Sequence, residues 1–193
     1  MIIKLSKYHL KKCEKFADEQ LKGSAKLYAY RGENSKLKMR EDIIIGKLAE
    51  VGACKYFKSQ KPDFTIYERS KKSYSADLKL GNMRIHVKSQ SKLSVQKYGH
   101  SWLFPSHVKS QSKLSVQKYG HSWLFQRSDQ IVRNATPFDF LVLTCVDLDK
   151  LEVSILKIIR AREINRWGEC RVPRYRHSKV ALYLKEIQDG YDH

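Results

Sequence analysis

The stretch Asp77-Leu78-Lys79-Leu80-Gly81-Asn82-Met83-Arg84-Ile85-His86-Val87-Lys88 decides the fold. Two alternating runs flank Gly81-Asn82, a dipeptide suited to the positive-φ positions of a tight two-residue turn. Folding the chain there sets Leu80 against Met83, Leu78 against Ile85 and Asp77 against His86. Side chains alternate across a strand, so Leu78, Leu80, Met83, Ile85 and Val87 share one face, which must be the core face. Asp77, Lys79, Arg84, His86 and Lys88 share the other. An acid, an imidazole and an amine thus converge on the open side of a hairpin. An ordinary solvated face has the same pattern, so the rest of the chain has to decide between them.

Upstream lie two helices. Ser6 caps the first, in which Leu10, Cys13, Phe16, Ala17 and Leu21 recur at helical spacing and the pattern runs to about Tyr30. Ser35 caps the second, Lys36 to Phe57. Gly46 and Gly52 sit inside it at about 1 kcal/mol each against Ala, a cost that points to close packing against a neighbour. Glu50 lies amid Leu48, Ala49, Val51 and Gly52, near the apolar face. An acid beside a packed stripe needs a partner, and a metal ion would serve as one. Pro62 to Tyr67 reads as a first strand.

Downstream, the 19 residues from His86 to Phe104 recur letter for letter as His107 to Phe125, with Pro105-Ser106 between. A single tandem copy is not a solenoid, which needs three or more units. The flanks tell the copies apart. The first continues the alternation of Met83-Arg84-Ile85, whereas the second follows a proline, poorly tolerated in a central strand. The first copy is therefore expected to hold His86-Val87-Lys88. The second runs directly into Gln126, so its Trp123-Leu124-Phe125 is expected to hold the downstream structural place.

Phe138 to Val146 is a near-continuous apolar run and reads as a buried central strand; Leu151 to Leu156 returns as another. A short helix is expected near Lys157 to Arg166, and a strand or short helix near Val180 to Leu184. The order of elements predicts one α/β (α+β) domain spanning residues 1–193, with a mixed central sheet flanked by helices and an N-terminal helical segment.

Composition narrows the function. A net charge of +18 over 193 residues exceeds what solubility needs and favours a polyanionic partner, nucleic acid first. The basic cluster Arg160, Arg162, Arg166, Arg171, Arg174, Arg176 and Lys179, interleaved with Trp167 and Tyr175, is the expected DNA-contacting surface. No long apolar run predicts a membrane span, and the N-terminus lacks a secretory pattern. Four scattered cysteines without CxxC spacing predict neither a disulfide framework nor structural zinc, and a reduced, cytoplasmic setting.

A helix Glu, then an Asp on a strand, then x-x-Lys on the paired strand resembles the PD-(D/E)XK nuclease superfamily, the fold of restriction endonucleases, some homing endonucleases and Holliday-junction resolvases. The residues that carry the likeness are Gly46 and Glu50, Asp77, and His86-Val87-Lys88. The resemblance implies a restriction-endonuclease-like core and a metal-dependent endonuclease acting on duplex DNA, site-specific and of homing or restriction type. It further implies a prokaryotic or phage source. A homodimer or higher homo-oligomer is expected, since one site cuts one strand. It gives Asp77, Glu50 and the Val87 carbonyl to a divalent metal, Mg²⁺ or Mn²⁺, and catalytic roles to Asp77, His86, Lys88, Glu50 and Gln90. His86 departs from the family's usual Asp, Glu or Gln, and an imidazole suits Mn²⁺ better than Mg²⁺. Asp63, in a literal Pro-Asp pair, is the rival to Asp77. A non-catalytic nucleic-acid-binding module and a junction resolvase are the alternatives.

Overall fold

The computed structural model of the chain describes residues 1–30, 35–59, 61–66, 76–92, 122–127, 130–133, 135–162, 177 and 179–183. In chain order these form β1 (Ile2–Lys4), α1 (Lys7–Tyr30), α2 (Lys36–Phe57), β2 (Leu78–Leu80), β3 (Met83–Ser91) and β4 (Ser122–Gln126). There follow α3 (Gln130–Arg133), β5 (Asp139–Asp147), β6 (Glu152–Arg160) and β7 (Lys179–Tyr183). Five strands make a mixed sheet in the order β1-β6-β5-β3-β2, and β4 pairs with β7 in a separate antiparallel ribbon. The architecture is α+β, with α2 laid on one face of the mixed sheet and α1 packed against α2.

The hairpin forms in the expected register, with Leu78 opposite Ile85 and Leu80 opposite Met83. Gly81 has φ +57 and Asn82 does not share the positive region. Positive φ at the first turn residue alone is the pattern of a II′ turn rather than I′. Leu78 and Ile85 are buried in the main core, with Leu80 and Val87 packed against it. The other half of that core comes from the helices: Cys13, Phe16 and Ala17 of α1, and Ile44, Leu48 and Val51 of α2. Ser35 caps α2 as expected, accepting from the Lys38 N–H at 3.2 Å. A Cβ on Gly52 would lie 2.7 Å from Val153, so here α2 meets β6 backbone to side chain. Gly46, by contrast, has nothing within 4 Å, and packing does not explain it.

β3 runs parallel to β5, with His86 beside Leu141 and Lys88 beside Leu143. Neighbouring residues in register point to the same face. His86 and Lys88 therefore share their face with two fully buried leucines. These pack with Ile131, Val132, Ile159 and Ala161 in a second, smaller core. The side expected to be open is thus partly covered, and both residues are half-buried.

Three other expectations change. Residues 61–66 form no strand: Pro62 lacks an N–H, and the Asp63 carboxylate takes the Thr65 N–H at 2.9 Å in a local turn. The strand after Leu151 does not give way to a helix at Lys157; β6 continues to Arg160, and a 3₁₀ turn at Ala161–Arg162 follows. Leu156 is passed over in the β5–β6 register, where Leu143 pairs with Lys157 and Thr144 with Ile155. This bulge lets the alternation resume and keeps Ile158 and Ile155 both toward the helices. The short β1, which pairs with β6, has no counterpart in the sequence reading.

Each copy of the duplicated segment supplies one described strand. His86 to Ser91 of the first lie in β3, and Ser122 to Phe125 of the second lie in β4. The 29 residues between Lys92 and Ser122 lie outside the described part.

Candidate functional site

The site is built where β2 ends. Pairing with β3 stops at Leu78, and the Asp77 carboxylate continues the ladder by accepting the Val87 N–H at 2.7 Å. A strand residue turns its N–H and C=O to the same side, so the Val87 carbonyl faces the same edge as Asp77. The sequence alternation thus delivers Asp77 to the backbone of β3 as well as to the neighbourhood of His86.

Glu50 reaches this edge from α2. Its side chain is 15% exposed, and it pairs with Lys47 at 2.6 Å. Burial first, and then the nearby Asp77 charge, push its carboxyl up to about 7 against the pull of Lys47. Asp63 adds to the same effect, so the rival acid also stands near the site. The Cys13 thiol of α1, beside Glu50, is pushed up to about 12 by burial and then by that charge.

Burial likewise holds His86 below its ordinary value, against the opposing charges of Asp77 and Asp139. A neutral imidazole is the form that can accept a proton or bind a metal. The Lys88 charge works in the same direction as burial on His86. The Asp77 charge therefore acts on both Glu50 and His86. Gln90 follows on β3 beside Cys145 and is 9% exposed.

Among the described residues, no three His, Cys, Asp or Glu side chains gather closely enough to hold a metal by themselves. The donors on offer are the Glu50 and Asp77 carboxylates and the Val87 carbonyl. Hard oxygens few in number fit Mg²⁺ or Mn²⁺, which keep several of their own waters. Glu50, whose ionisation the Asp77 charge opposes, would ionise more readily beside a cation.

Two residues absent from the sequence reading matter here. Asp139, wholly buried, accepts both arms of the Arg84 guanidinium and the Thr136 N–H and hydroxyl. Its Oδ1 lies 3.8 Å from His86 Nε2. Lys47 is the second. A lysine three residues before a helix Glu is a readable signal, whereas Asp139 meets Arg84 only through the parallel pairing of β3 with β5.

The expected DNA surface is described only in part. Arg160 is exposed at the end of β6, Arg162 is exposed just beyond it, and Lys179 opens β7. Arg166, Arg171, Arg174 and Arg176 lie outside the described residues. No helix among the described residues is long and apolar enough to cross a membrane. No protein-family model, no curated protein and no solved structure matches this chain.

Proposed function

We propose that the chain is a metal-dependent DNA endonuclease with a restriction-endonuclease-like core, of the PD-(D/E)XK kind, that hydrolyses phosphodiester bonds in duplex DNA. One observation carries the reading. The Asp77 carboxylate stands between Glu50 of α2, whose ionisation its charge opposes, and His86 of β3, whose charged form it favours. A structural core gains nothing from such crowding, whereas a cation site does.

Asp77, held by the Val87 N–H, and Glu50, held by Lys47, would bind the divalent metal, with the Val87 carbonyl beside them. The bound metal supplies charge that lowers the pKa of a water and offsets charge building on the phosphate. Lys88 holds the scissile phosphate as a point charge. His86, kept neutral, accepts a proton from the attacking water or orients it. Gln90 positions the water or phosphate. The charge of +18, to which Arg160, Arg162 and Lys179 contribute, draws the DNA backbone in. Action as a homodimer or larger homo-oligomer gives the second strand cut.

Incubation of mixed duplex DNA with Mg²⁺ or Mn²⁺ tests the assignment. Cleavage is expected with either metal, and lost by at least about 100-fold in Asp77→Ala and Lys88→Ala. Full activity in both variants would sink it. His86 favours a second reading, a nucleic-acid-binding module without catalysis. That reading gives salt-sensitive binding and no cleavage under any metal. Preference for four-way over linear DNA would mark a junction resolvase.

A further inference from the structure

Lys47 is a cation in an uncommon place. It sits on α2 one turn before Glu50, with only 14% of its side chain exposed. Its Nζ donates to Glu50 Oε2 at 2.6 Å and to the Asp63 backbone carbonyl at 2.8 Å. The ammonium also lies 4.7 Å from the Phe16 ring centre and 5.9 Å from that of Phe64, and these two rings meet edge to face. Three separate segments, α1, α2 and the turn at Asp63, thus converge on one amine. Burying a lysine to this depth is costly, and a surface i,i+3 pair would need none of it.

We propose that Lys47 is a positioning residue that presents Glu50 to the divalent cation. The inference rests on the metal-site reading above. Lys47 engages Oε2, which turns Oε1 into the oxygen available as a donor. By gripping the Asp63 carbonyl as well, the same amine ties α2 to the turn after it, so the carboxylate cannot swing away from Asp77. The aromatic rings fix the amine in turn. Partners of this kind, one step behind a metal ligand, are worth about 10- to 100-fold in metal affinity.

The test is Mn²⁺ binding to the whole chain, followed by calorimetry, in a double-mutant cycle of Lys47→Met with Glu50→Gln. Lys47→Met is expected to weaken Mn²⁺ about 10-fold or more when Glu50 is present, and less than about 2-fold in the Glu50→Gln background. Equal weakening in both backgrounds, or none in either, overturns the proposal while leaving the metal site standing. Absence of saturable Mn²⁺ binding by the unsubstituted protein overturns both. Thermal melts accompany each variant. Should Lys47→Met lose its cooperative melt, Lys47→Leu, which likewise removes the donor to Oε2, replaces it in both backgrounds under the same criteria.

Discussion

Two buried carboxylates in this molecule have opposite surroundings. Asp139, on the second-core face of the sheet, receives four hydrogen bonds, two of them from Arg84. Burial pushes its carboxyl up, yet Arg84 and Thr136 more than offset this and hold it below the ordinary carboxylate value. Glu50, on the helix face, receives one among the described residues, from Lys47, and stands against the charges of Asp77 and Asp63; its carboxyl rises to about 7. Both are acids paired to a base. The first is held ionised by its partners, whereas burial and neighbouring charge oppose ionisation of the second.

The contrast breaks most visibly at Asp139. Asp139→Ala strands Arg84 and opens the Thr136 turn, so a loss of about 3–5 kcal/mol is expected in urea unfolding. A loss under about 1 kcal/mol would mean the pair is not structural.

Glu50→Gln tests the other half through pH. The folded chain holds the Glu50 proton to about pH 7, whereas the unfolded chain releases it near 4.5. The folded state therefore binds the extra proton in this window, and stability falls as pH rises through it. Full ionisation costs up to about 3 kcal/mol. In metal-free protein the difference between the Glu50→Gln and parent curves should be flat below about pH 4.5 and favour the variant increasingly up to about pH 7. His86, whose value is lowered, works with the opposite sign and cancels in the difference. Parallel curves would show that Glu50 titrates alike in the folded and unfolded chain.

Arg84→Lys is a finer probe. It keeps the charge beside Asp139 but loses the two-armed contact, so a loss of about 1 kcal/mol is expected by the same unfolding measurement. The smallest effect belongs to the duplication. Removing Pro105 to Phe125 leaves a chain that still contains the residues of both β3 and β4, since the copies are identical. Both carboxylates should keep their partners, with stability raised by no more than about 1 kcal/mol through the shorter connection. An unfolded product would show that the extra copy belongs to the fold.

The hairpin, both long helices and the strand at Phe138–Val146 were legible because period and capping are local properties. Glu50 was legible as an acid in an apolar stripe. Asp139 was not, because at the head of an apolar run it looks like the residue that merely begins a strand. Its meaning depends on Arg84, which comes alongside only through a parallel pairing across 55 residues. The same pairing explains why the face of His86 and Lys88 is half covered. Alternation shows which side chains share a face, but not what is laid over it. The segment at Pro62–Tyr67 misled for a different reason: its alternation was real, but a side chain outcompeted a neighbouring strand for the backbone.

The strand order β1-β6-β5-β3-β2 also bears on how the chain folds during synthesis. The hairpin can close within microseconds of leaving the ribosome, as its two strands are neighbours in the chain. β6, by contrast, emerges last of the five and must enter between β1 and β5. The Met1 ammonium meets the Ile155 carbonyl across a separation of 154 residues. Until then the first strand made and the inner edge of β5 both stand unpaired, and nascent chains stalled before Arg160 expose an apolar sheet edge to their neighbours. The same insertion that completes the sheet therefore makes the unfinished chain prone to aggregate.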